Sequence, residues 1–139
     1  MGQDTGAKMR YPTLAAAALM AATTALHVIG GGAEFHAPIQ TSSLDLPLRA
    51  ISAVLWHFVT VMLVLQTAAL LWLSRHPERG LAALLLAIQI GFAGLFICYG
   101  QTMLGTVWHL GQWTIFLAMA VLIIWGAWGA VKGPAPRLP

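Results

Sequence analysis

The chain has 139 residues, of which 59% are hydrophobic and only 8% charged, and its mean hydropathy is +0.80. A soluble domain carries roughly 25% charged residues, so this composition excludes a globular protein with an ordinary water-facing surface. The net charge of +3 rests on too few basic groups to suggest a nucleic-acid partner; those groups read instead as flanks of membrane spans.

The first apolar stretch covers about residues 12–33 and follows Lys8 and Arg10. An alanine-rich run behind two basic residues resembles a signal peptide. It is long for such a core, however, and no clean small-x-small cleavage site precedes Glu34, so it is read as a retained span. Thr23, Thr24, His27, Gly30, Gly31 and Glu34 recur at three- and four-residue steps and form one helical stripe. The glycines Gly30–Gly32 are expected to end this helix in a left-handed cap, and Gly30 and Gly31 would also let a second helix approach His27. His36 then falls in the following loop.

"TSSLDLP" offers Ser43 or Asp45 as an N-cap, with Pro47 in the first turn of a second span over about residues 48–73. Its expected inward stripe is Ala53, His57, Thr60, Val64 and Thr67. "SRHPERG", with Pro77 and Gly80, makes a tight turn in which His76 is a solvated loop residue. A third span over about residues 81–101 carries the stripe Ala87, Gly91, Gly94, Cys98 and Gln101. A fourth, about 107–131, places His109, Gln112 and Phe116 on one face with Ala120 below. Each span has about 20 residues or more, enough to cross a hydrocarbon core about 30 Å thick. The expected fold is therefore all-α: a polytopic membrane protein forming a single antiparallel four-helix transmembrane bundle over residues 1–139.

Basic residues orient this bundle. With four crossings, Lys8, Arg10, Arg75, Arg79, Lys132 and Arg137 share one side, and Arg49 alone lies on the other. The positive-inside rule places both termini in the cytoplasm, with the inner membrane of a bacterium as the location. His27, His36, His57, His109, Glu34, Cys98, Tyr99, Gln101 and Gln112 then gather in the outer half. Membrane helices pack through small and polar residues, so the stripes are expected to face one another while the leucine-rich faces meet lipid.

Three functional readings follow. Imidazole suits zinc, copper, iron or nickel, so His27 and His57, with Glu34 and His109, are candidate ligands of a transition-metal ion or haem. No HxxxH or HExxH motif supports them, and Cys98, the single cysteine, excludes an internal disulfide or a multi-cysteine centre. Trp56, Tyr99, Gln112 and Trp113 could instead line a pocket for a quinone or another lipid-phase molecule, although Trp and Tyr also anchor spans at membrane interfaces. The third reading is a non-catalytic accessory subunit that works beside other membrane subunits or as a homo-oligomer, its histidines bonding only between helices. No residue pattern names a reaction.

At "HVIGGGAEFHAPI", "AVLWHFVTV" and "GQW" the chain resembles small, uncharacterised bacterial four-span membrane proteins. In these a histidine–glycine segment closes span one, a Trp–His pair lies in span two and a Gln–Trp pair opens span four. The matching residues are His27, Gly30, Gly31, Trp56, His57, Gln112 and Trp113. The resemblance implies the fold and the inner-membrane location, and carries no activity.

Overall fold

A computed structural model describes residues 10–129. Helix α1 (Tyr11–Leu26) runs without a break into a π-helical segment (His27–His36) and then into α2 (Ala37–Gln40). After a short turn come α3 (Leu46–Arg75), α4 (Arg79–Leu104) and α5 (Trp113–Trp128). Three continuous helices, Tyr11–Gln40, Leu46–Arg75 and Arg79–Leu104, are long and apolar enough to cross a membrane, and Trp113–Trp128 is a shorter apolar helix. Among the described residues there is no strand.

Local chemistry sets most boundaries. Proline occupies the first turn of α1 and of α3, where its missing N–H costs nothing. Gly105, at φ 72, adopts the left-handed conformation that ends α4, and the Thr106 N–H turns back to the Gly100 carbonyl at 3.2 Å. Gly100 is needed here, because a Cβ would lie 3.1 Å from the Thr106 oxygen and 3.3 Å from Val107 Cα. Residues 107–112 are consequently turns packed on α4, and α5 begins at Trp113 rather than near 107. The expected end of that span near 131 lies outside the described residues, as do Lys8, Lys132 and Arg137.

The first residues of α1 meet the last residues of α3 and α5. The Arg10 N–H donates to the Ser74 carbonyl at 2.9 Å. Its guanidinium Nη1 donates to the Gly126 and Ala127 carbonyls at 2.6 and 3.2 Å, so a cation supplies the donors that the end of α5 lacks. Thr13 packs on Gly126 so closely that a Cβ there would overlap its hydroxyl. From this arginine end the core rises as four stripes at three- and four-residue steps: Thr13, Ala16, Ala17 and Met20; Leu63, Gln66, Leu70 and Leu73; Ala82, Leu85, Gln89 and Ala93; Phe116, Met119, Ala120 and Ile123. Phe92 and Phe96, one turn apart on α4, both stack on Phe116, with centroids at 5.0 and 5.7 Å.

Two of the expected stripes are turned away from the core. On α4, Ala87, Gly91, Gly94, Cys98 and Gln101 face outward, because this helix meets its neighbours through phenylalanines and an amide, not through small residues. On α3, His57 and Val64 are exposed, while Ala53, Thr60 and Thr67 are half-buried. The threonines do not bridge helices. Thr23, Thr24, Thr60 and Thr67 each donate to the carbonyl four residues earlier in their own helix.

A buried side-chain pair that links two helices is absent from the expected stripes. Gln89 Nε2 donates to Gln66 Oε1 at 2.8 Å, with both residues at most 2% exposed. Substituting one partner leaves the other amide buried alone, so Gln89→Leu is expected to lower stability by about 1–2 kcal/mol. The double variant Gln66→Leu/Gln89→Leu should recover most of that loss. Unfolding in mild detergent checks this, and equal losses in the single and double variants would show that the pair is not coupled.

Candidate functional site

His27 and His36 lie nine residues apart. On an α-helix of 3.6 residues per turn that is two and a half turns, so the two rings would point to opposite faces. A π-helix bonds i to i+5 and holds about 4.4 residues per turn, which makes nine residues about two turns. The π-helical segment therefore carries both imidazoles to the face that meets α3. There the Trp56 indole stacks on His27 with centroids 4.0 Å apart and planes at 17°, and on His36 at 5.4 Å and 20°. Since the two histidines are two turns apart, the indole lies between them.

Gly31 sits between these two rungs. A Cβ there would come within 2.9 Å of Trp56 Cη2, whereas Gly30 and Gly32 have nothing within 4 Å. Close approach of the indole is thus a requirement of Gly31 alone. The expected glycine cap does not form: the helix persists to Gln40, and His36 is a helical residue, not a loop residue. The segment is fastened at its far end by a reciprocal pair, Arg49 Nη1 donating to the Gln40 carbonyl at 2.9 Å and Gln40 Nε2 to the Arg49 carbonyl at 3.0 Å.

The three histidines at this site differ in what they have left to offer. His27 Nε2 stands 3.4 Å from the Trp56 carbonyl, which also accepts from the Thr60 hydroxyl at 3.1 Å. Its role is taken up by α3. His36 meets His57 edge to face, with centroids 5.5 Å apart and planes at 66°. The His36 Nδ1 is buried and has no hydrogen-bond partner, and His57 is exposed. This edge contact brings together two imidazoles from two different helices, and no hydrogen bond from a described residue engages His36 Nδ1.

The other candidates lie elsewhere. Glu34 is exposed on the π-helical segment, and His109 is exposed in the 107–112 turns. Tyr99 is 53% exposed on α4. Gln112 precedes α5, its Oε1 buried and unpartnered. Trp113 Nε1 donates to the Val107 carbonyl at 3.1 Å and the ring tilts against Trp108, so this tryptophan secures the turns. Among the described residues, ring contacts join His27, His36 and His57 to Trp56 or to one another, and none joins Tyr99, His109 or Trp113 to them. No group of three or more His, Cys, Asp or Glu among the described residues is placed to hold a metal ion.

Comparison with protein-family models, with curated proteins and with solved structures gives no match for the chain. The site is read from its own chemistry.

Adjacent glycines separate the π-helical geometry from general backbone freedom. Gly31→Ala is expected to push the indole aside and lower stability by about 1–3 kcal/mol. Gly30→Ala, in open space, is expected to be neutral or to stabilise by up to about 1 kcal/mol. Thermal unfolding of the two variants in detergent gives the comparison, and similar behaviour would contradict the close approach at Gly31.

Proposed function

We propose that the chain is an antiparallel four-span protein of the bacterial inner membrane, with both termini cytoplasmic and the histidine end outward, which binds a transition-metal ion through His36 and His57. The observation that carries this reading is the edge contact of two imidazoles, one from the π-helical segment and one from α3. π-helical turns concentrate at functional sites, and this one brings His36 beside His57. Neutral imidazole favours zinc, copper, nickel and iron. Two protein ligands leave coordination positions open to water, to a partner's side chain or to a transferred ligand. Trp56 and His27 form the wall that holds His36 in place.

Haem is less well served. His36 and His57 are in direct ring contact, with centroids 5.5 Å apart, and leave no room between them for a macrocycle. Glu34 and His109 are placed in this proposal as residues outside the ligand set.

Metal analysis of the protein purified in mild detergent, followed by titration with zinc and copper, tests the proposal. About one ion per chain is expected, with affinity falling about tenfold or more in His36→Ala and in His57→Ala and unchanged in His109→Ala. A metal-free protein that binds neither ion would sink it.

A second reading, the accessory subunit, is favoured by a separate observation. The outward face of α4 carries Ala83, Ala87, Gly91 and Gly94, and a Cβ added at either glycine would meet no other described residue within 4 Å. Small residues at this spacing are what a partner helix packs against in a membrane. Co-purification of a defined partner that is lost in Gly91→Leu would favour this reading over the metal site.

A further inference from the structure

At the arginine end, α1, α3, α4 and α5 meet around a cavity of about 300 Å³. Arg10 and Thr13 line it from α1, Leu73 from α3, Glu78 and Arg79 from the start of α4, and Gly126 from α5. Three features make it favourable to an anion. The Arg10 guanidinium is held at the wall by the Gly126 and Ala127 carbonyls, so its charge does not swing into water. Arg79 opens a 26-residue helix whose cap, Glu78, makes no side-chain bond to the first backbone N–H groups, and those groups carry the positive end of the helix dipole. Thr13 is 1% exposed, and its hydroxyl has no hydrogen-bond partner among the described residues. Glu78 brings one carboxylate against two guanidinium groups and a helix N-terminus, and the balance is positive.

The surroundings indicate where such an anion would come from. Trp72, Trp125 and Trp128 are 58%, 64% and 42% exposed at the same end of the helices, and exposed tryptophans of this kind sit at the headgroup level of a bilayer. Basic pockets between membrane helices at that level accept lipid phosphates. We propose that this cavity binds a phosphate group, and that its source is the headgroup of an anionic phospholipid.

The full chain in mild detergent, offered equal amounts of phosphatidylglycerol and phosphatidylcholine, can be followed by native mass spectrometry. One retained phosphatidylglycerol per chain is expected, in preference to phosphatidylcholine. Arg79→Gln should lower that retention about fivefold, while Arg75→Gln, an exposed cation that does not line the cavity, should leave it unchanged. A second arm adds inorganic phosphate to the protein in phosphatidylcholine bilayers. If phosphate raises the unfolding temperature of the parent but not of Arg79→Gln, and no phosphatidylglycerol is retained, the phosphate site stands with free phosphate as its occupant. Equal retention of the two lipids with no stabilisation by phosphate would overturn the proposal, as would equal losses in Arg79→Gln and Arg75→Gln.

Discussion

In apolar surroundings a backbone N–H or carbonyl has no water to turn to, so it must be satisfied within the chain. Most of this structure follows from that constraint. In water, three consecutive glycines would end a helix. Here Gly30–Gly32 widen the helix instead, keeping its bonds internal while changing its pitch. The hydroxyls of Thr23, Thr24, Thr60 and Thr67 bond to their own helices for the same reason. The open carbonyls at the end of α5 are covered by Arg10.

The two ends of the molecule solve this constraint differently. At the arginine end the helices are in close contact, as Thr13 on Gly126 and the Arg10 bonds to Ser74 and Gly126 illustrate. Every buried residue of α1 and α3 lies toward this end. At the histidine end the contacts are aromatic stacks between the π-helical segment and α3, with no fully buried side chain in that segment. Three of the histidines gather there, where the packing rests on ring contacts.

The helical architecture was legible from composition and from the lengths of the apolar runs, since both reflect the solvent directly. The turn at Pro77, the start of α3 at Pro47 and the lopsided placement of histidines could likewise be read from residue types. Which faces turn inward was less legible. Small residues do not mark the contacts of α4 with the other helices of this chain, which Phe92, Phe96 and Gln89 make. Gln66 and Gln89 carried a signal of their own, as uncharged amides in the middle of otherwise apolar runs, and spacing arguments built on small residues passed over them. His36 was unreadable for a sharper reason. A stripe read from sequence assumes 3.6 residues per turn, and the segment that carries His36 does not have that pitch. Trp56 was the one member of the expected aromatic wall that meets the histidines.

Gln40 and Arg49 bear on dynamics. This reciprocal pair, the Trp56 stack, the His27 contact with the Trp56 carbonyl and the His36–His57 edge contact hold the Gln40 end of the first long helix to α3. Few buried contacts mark a region that opens without global unfolding, and no side chain of the π-helical segment is fully buried. The hairpin from about residue 27 to 56 therefore has its own, lower opening free energy than the four-helix portion beneath it. Amide exchange would proceed on two separate timescales within single continuous helices, with the boundary one or two turns on the arginine side of His27 and Trp56.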